Sequence, residues 1–261
     1  MIYLRKRKPF RVAELWFHIP KGFSATEYAS CIYQNMMQPI ALQKGETLLG
    51  ARESKTLVSD LTLSEEKLLV CCTSTIRNEI RRAKKDGASC AQYSGKFLFG
   101  IKGLFRQFDE AYAEMYRQKK MTAVSVRGYL RTLAAAGFLT MSISKIGNEV
   151  VAYHVYVTGD RIARLLYSVS IFRVCEENAM RNAVGRANRL LHYEDMLWFK
   201  KQGFITYDWG GYATDPALAS INAFKAGFGG TLVSRYYAKV TSNMLVPVVY
   251  GIYKRTRGIT G

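Results

Sequence analysis

The chain has 261 residues, with 38 Lys+Arg against 20 Asp+Glu for a formal net charge of +18. Hydrophobic residues make up 49% and charged residues 22%, with 17 Tyr and 13 Phe, which excludes intrinsic disorder and leaves room for one large domain or two modest ones. The basic excess is spread along the chain, 16 basic to 9 acidic residues in the first hundred and 22 to 11 after it, so the field attracts phosphate as RNA, nucleotide or anionic lipid without choosing among them.

No run of eighteen apolar residues occurs, so no transmembrane helix is expected. The basic opening "MIYLRKRKPF" is not followed by a signal-peptide apolar region, which points to a cytoplasmic protein, with peripheral contact at an anionic inner membrane face as the variant that the charge allows. The five cysteines are odd in number, two are adjacent (Cys71 and Cys72), and no Cys-x-x-Cys is present. That pattern excludes a disulfide framework and a zinc site, and no metal is expected.

In chain order, residues 1–60 are irregular, with short apolar runs such as "AELWFHI" that fit strands. "LTLSEEKLLVCCTSTIRNEIRRAKKDG" predicts one or two helices starting after Ser64 and stopping at Gly87, the second half thinly apolar at Ile76, Ile80 and Ala83 and otherwise basic. From residue 104, Leu104, Phe105, Phe108, Tyr112 and Met115 recur at helical spacing, and "SVRGYLRTLAAAG" predicts a second helix ending at Gly137. Three β-rich runs, "FLTMSISK", "VVAYHVYV" and "RIARLLYSVS", separated by Gly147-Asn148 and Gly159-Asp160, predict an antiparallel meander. A helix over about 186–201, a buried strand "FITYDW", a helix capped by Asp215 with Pro216 at its first position, and a strand "TLVSRYYAKV" complete the pattern.

Two helices, a meander, helix, strand, helix and strand is an order that resembles the GNAT acyltransferase fold. Within it, "LLHYEDMLWFKKQGFITYDWGG", the Phe-Lys-x-x-Phe-Gly run in "FKAGFGGTLV" and the basic helix "TIRNEIRRAKKDG" resemble the FemAB-like peptidoglycan-bridge aminoacyltransferases. The resemblance implies an α/β (α+β) fold with a GNAT-like mixed, mostly antiparallel central sheet flanked by helices. Its lobes are a reduced N-terminal lobe with the basic helix over 1–100 and an acyltransferase domain over 101–261.

In such a transferase an amine attacks an activated acyl carbonyl, and a donor preorganised toward the developing oxyanion contributes about 2.7–4 kcal/mol. Lys225 follows Ile221 by four residues and Leu218 by seven, on the stripe expected to face the protein, beside Phe224. By resemblance, Lys225 contacts the acyl region and stabilises the oxyanion; on spacing alone it is equally a lysine that snorkels at a helix end. Gly227, Gly229 and Gly230 either turn the chain into the last strand or admit close backbone approach to a ligand. Gly210 and Gly211 allow either a plain turn or a strand end that receives the donor. Asp208, at the end of its strand, is the candidate general base or a loop-holding carboxylate. Tyr167 and Tyr207 are candidate ligand contacts or aromatic core, and His154 reads as a satisfied core histidine. Arg77 and Arg81 would clamp a phosphate or line a solvated face.

Two donors are in view, aminoacyl-tRNA and acyl-coenzyme A, neither as a tightly bound cofactor. Asn182, Gly185 and Ala187 stand at the spacing of the loop that binds the pyrophosphate of coenzyme A, with the first residue atypical. The FemAB resemblance and the charge favour aminoacyl-tRNA. The expected reaction is amide formation on an amine of a phosphate-bearing, nucleotide- or lipid-linked cell-wall or surface-saccharide precursor. The alternatives are an acyl-coenzyme A dependent N-acyltransferase acting on an amino sugar or nucleotide-linked acceptor, and a non-enzymatic RNA- or membrane-surface-binding protein on the same fold.

Overall fold

The computed structural model describes residues 2–7, 10–173, 175, 177–212 and 215–242. The chain divides into two compact units, one of residues up to Thr56 together with those from Val233 onward, the other Leu57–Leu232. The stretch expected to form a reduced first lobe, 1–100, therefore contributes to both.

The first unit is built on strands β1 (Ile2–Arg7), β2 (Phe10–Trp16) and β3 (Ser30–Met36), joined by the last strand, β10 (Thr231–Thr241), in the order β1-β2-β3-β10. β1 and β2 pair antiparallel, β2 and β3 parallel, and β3 and β10 antiparallel. Leu15, Tyr33, Met36, Ala238 and Val240 form its core.

The second unit carries the sheet order β4-β9-β8-β7-β6-β5, in which β4 is Thr47–Asp60, of which only Leu57–Asp60 belong to this unit, β5 Ser89–Ser94, β6 Leu139–Ile146, β7 Glu149–Gly159, β8 Ile162–Ser170 and β9 Thr206–Gly211. The expected meander is present: β6, β7 and β8 pair antiparallel in sequence. Asp160 and Arg161, both at positive φ, form the two-residue link between β7 and β8, the backbone hand that matches strand twist. β9 then adds parallel to β8.

Both faces of this sheet are covered, so β7 is buried almost throughout and its alternation sorts side chains between two helical layers. On one face, α3 (Leu104–Gln118) and α4 (Arg127–Ala135) bury Phe108, Tyr112, Leu130 and Leu133, with Tyr153 of β7 edge-on to Phe108. On the other, α5 (Asn178–Lys201) receives His154 and Tyr156. The expected helices over 65–86 are α1 (Glu65–Cys71), capped by the Ser64 side chain, and α2 (Ser74–Lys85), capped by Thr73; Ile76, Ile80 and Ala83 are the buried stripe of α2.

Two boundaries differ from the sequence expectation. Helix α5 begins at Asn178, eight residues before 186, because Val184 and Ala187 continue its apolar face and pack against Val151. That burial outweighs the roughly 1 kcal/mol that Gly185 costs inside a helix. Pro216 opens a short 3-10 turn, and α6 proper is Ala219–Ala226. Among the described residues, no helix is long and apolar enough to cross a membrane.

Candidate active site

Helix α6 has no buried residue, although its composition is apolar. Ile221 is 45% exposed. The stripe expected to face the core instead forms one wall of a cleft of about 400 Å³, to which α6 gives Ile221, Phe224 and Lys225, β8 gives Leu165 and Ser168, and α5 gives Asn188 and His192. The cleft lies where the regular β8–β9 ladder stops, at the pair Arg164–Asp208. Leu166 is the extra residue of a bulge opposite Val155 and Tyr156. A bulge re-aims the side chains beyond it, which is how Leu165 and Ser168 reach the cleft while Tyr167 turns to the other face.

Lys225 is held in place. Its Nζ donates to the Gly211 carbonyl at 2.6 Å, which leaves two of the three ammonium N–H donors for a ligand. Partial burial is the main reason its pKa falls to about 8; the Arg164 guanidinium adds to the fall and Asp208 opposes it. The amine is thus a cation through neutral pH that gives up its proton just above it.

Below Lys225 the floor of the cleft is His192, which is 2% exposed. Its Nδ1 pairs with the Tyr207 hydroxyl at 2.8 Å, so Nε2 is the ring nitrogen left for a ligand. Burial pushes the imidazole pKa well below its usual range, with the charges of His154, Lys225 and Arg189 acting in the same direction. His192 is therefore neutral and able to accept a proton.

Behind it runs a buried polar network. The Tyr207 and Tyr156 hydroxyls lie 2.8 Å apart, and Tyr156 donates to Asp195 Oδ2 at 2.6 Å. Asp195 also accepts from Ser142 at 2.8 Å and Gln92 at 3.0 Å, and meets His154 Nδ1 at 2.8 Å. His154 Nε2 faces Asn188 Oδ1 at 3.0 Å, which returns the network to the cleft wall. Burial, with Asp195 close by, raises both tyrosine pKa values well above the ordinary, so the hydroxyls stay protonated and the network holds its hydrogen-bond order. The His154 and His192 rings are tilted by 32° to one another, with centroids 3.9 Å apart.

The remaining expected site residues take other posts. Asp208 is fully buried, accepts from Arg164 Nη1 at 2.8 Å and from the Gly210 N–H at 2.9 Å, and is absent from the cleft lining. It is a loop-holding carboxylate, the second of its two readings. Asp208→Asn should lower stability by about 3–5 kcal/mol, because the Arg164 guanidinium, only 11% exposed, would stay buried without its carboxylate. Denaturant unfolding checks this, and a loss within the usual surface range would mean the pair does not hold the strand end.

Gly210 has φ +76, and a Cβ there would come within 2.9 Å of the Leu165 carbonyl, so only glycine lets β9 approach β8 and aim the Gly211 carbonyl at Lys225. Gly229 and Gly230 also need glycine, but the close approach is to the chain itself, with Cβ positions 2.8 Å from Cys71 O and 2.6 Å from Val58 O. Tyr207 lies one hydrogen bond beneath the floor rather than in contact with the cleft, and Tyr167 packs on Phe108 and Tyr112 of α3. His154 is the satisfied core histidine expected.

Arg77 and Arg81 are not brought to the cleft. Arg77 Nη1 donates to the Cys72 and Val70 carbonyls and so closes the α1–α2 junction, and Arg81 donates to Asn78 at 3.0 Å. Asn182, Gly185 and Ala187 lie inside α5, not before it. Amides within a helix are committed to carbonyls four residues back and cannot cradle a pyrophosphate, which corrects the expected coenzyme A loop. Within that stretch the Gly185 carbonyl accepts from Arg189 Nη1 at 2.9 Å.

Sequence patterning does not single out His192, because one histidine in an aromatic-rich helix carries no spacing signal. Its hydrogen bond to Tyr207, its contacts with Trp209 and Phe224 and its place in the cleft lining exist only once α5, β9 and α6 are assembled.

No protein-family model and no curated protein matches the sequence. Among solved structures, FemX superimposes with a TM-score of 0.62 over 91% of this chain and 83% of that one, at 12% identity. The fold is that of FemX. The C-terminal domain (DUF2156) of a putative lysylphosphatidylglycerol synthetase from Agrobacterium fabrum follows, with a TM-score of 0.56 over 96% of this chain and 83% of that one, again at 12% identity. A conserved protein of unknown function from Bacteroides thetaiotaomicron gives 0.52 over 74% of this chain and 62% of that one, at 11% identity. The fold implied by the FemAB-like resemblance, a mixed α/β architecture with a mostly antiparallel sheet flanked by helices, is therefore the fold this chain adopts.

Proposed function

We propose that this protein is an aminoacyltransferase that uses aminoacyl-tRNA and forms an amide on an amine of a cell-wall or surface-saccharide precursor. The observation that carries the reading is one cleft in which a cationic lysine anchored on Gly211 stands over a neutral, buried histidine anchored on Tyr207. Attack of the acceptor amine on the ester carbonyl forms a C–N bond and an oxyanion, which Lys225 meets with its free N–H donors. The proton leaving the amine passes to His192 Nε2. As the tetrahedral intermediate collapses, the C–O bond to the nucleic acid breaks and the same proton neutralises the departing ribose oxygen.

The FemX fold, the name of the neighbouring putative lysylphosphatidylglycerol synthetase, which itself describes a lysyl transfer, and the +18 charge support an aminoacyl donor carried on RNA. Acyl-coenzyme A has weaker support, since the stretch expected to hold its pyrophosphate is helix interior.

The test is transfer of a labelled amino acid from total aminoacylated tRNA to amine-bearing nucleotide- and lipid-linked saccharide precursors, with acetyl-coenzyme A in a parallel arm. RNase-sensitive amide formation is the expected result. Saturable transfer from acetyl-coenzyme A with none from tRNA would overturn the donor, and transfer from neither would overturn the reading.

A further inference from the structure

The two most exposed large apolar side chains among the described residues are Phe97, 84% exposed, and Val124, 79% exposed. Both lie at the same end of the α3–α4 pair. Phe97 sits in the 3-10 turn Gly95–Gly100 ahead of α3. Val124 sits in the α3–α4 loop, which Asp109 ties back onto the second turn of α3 through Ser125 Oγ at 2.7 Å and the Val126 N–H at 3.1 Å.

Close in sequence to both, two residues after Phe97 and three after Val124, are Phe99 and Arg127 of a cleft of about 420 Å³ outside the active site, whose lining also holds the cations Lys102, Arg106 and Arg131 and no acidic residue. Arg131 stacks over the Phe99 ring at 5.0 Å, and Phe99 is 42% exposed. Of these four cations Arg106 has an acidic neighbour, Glu110 at 3.8 Å, with both side chains two-thirds exposed and the attraction correspondingly weak.

Exposed apolar side chains interspersed with unneutralised cations are the pattern of a surface that sits in the headgroup region of an anionic bilayer. A nucleic-acid surface would use the phenylalanines for stacking but has no use for Val124. We propose that this end of the second unit, centred on Phe97, Val124, Arg127 and Arg131, docks on an anionic membrane. Phe97 and Val124 enter the acyl boundary, and the four-cation cleft takes lipid phosphates. The active-site cleft is reached by Met115 and Lys119 toward the other end of α3, about 14–20 Å from Arg106 along the helix. The proposal stands apart from the transferase reading and needs no activity to be tested.

The experiment is flotation of the full chain with phosphatidylcholine vesicles with and without phosphatidylglycerol. Binding is expected only to the anionic vesicles and should weaken with salt. Phe97→Ser with Val124→Ser should weaken it at least about tenfold, and each of Arg127→Gln and Arg131→Gln about fivefold. All four positions are exposed, so unchanged circular dichroism and thermal melting are expected and separate a binding loss from unfolding. Absence of binding by the wild-type chain, or binding that the variants leave intact, would overturn the proposal. So would variants that lose binding to a single-stranded RNA oligonucleotide while keeping the vesicles, which would make the surface one for nucleic acid.

Discussion

Replacing Lys225 with alanine should lower turnover by about 10²–10³-fold while leaving the fold intact, the range found when one oxyanion donor is removed. The lysine contributes little to packing, since α6 buries no residue and its ammonium makes a single hydrogen bond, to Gly211. The pH profile adds a sign that a purely structural lysine would not show. With its pKa lowered to about 8, the ammonium is charged below that pH and neutral above it, so kcat/KM should fall as pH rises through about 8. Lys225→Arg should recover part of the turnover and move that alkaline limb upward, because guanidinium stays charged. A folded alanine variant with near-normal turnover would remove Lys225 from the chemistry.

His192→Gln should lower turnover by about 10²–10⁴-fold, the usual contribution of a positioned general base. Glutamine preserves much of the volume and can still bond Tyr207, so the loss reports proton transfer rather than packing. The wild-type acid limb should lie well below the ordinary histidine range, since burial and the neighbouring His154, Lys225 and Arg189 all disfavour the imidazolium, and the variant should lose that limb. Tyr207→Phe leaves the ring beneath His192 but deletes the bond to Nδ1, so its effect on turnover should be smaller, about tenfold, in line with one buried hydrogen bond. Single-turnover kinetics across pH distinguish these outcomes; a glutamine variant that keeps both the rate and the acid limb would exclude His192 as the base.

These two residues differ in how they could be found. Lys225 was legible because its neighbours in the chain carry the signal: Phe224 before it, Phe228 after it, and glycines whose backbone only glycine can adopt. The meander was legible for the same reason, since β-rich runs and the turn signals Gly147-Asn148 and Gly159-Asp160 are local properties, the second turn falling one residue later at Asp160 and Arg161. Asp208 shows the limit of that reasoning. A carboxylate at a strand end reads as reactive until Arg164, forty-four residues earlier, is seen to neutralise it. Arg77 and Arg81 show a similar limit: a basic helix says nothing about which carbonyls its guanidiniums meet.

By itself the sequence determined the element types from residue 104 onward, the three-strand meander, the basic character and the lysine between its aromatics, because each is set by neighbours within a few residues. The tertiary structure decided which groups share a cleft. It turned the apolar face of α6 outward as a wall, absorbed Asn182, Gly185 and Ala187 into α5, and placed His192 beneath Lys225 at the head of a network that reaches Asp195 through two tyrosines. Those contacts join residues from β5, β6, β7, α5, β9 and α6, and no spacing along the chain encodes a meeting that only the closed sheet and its packed helices create.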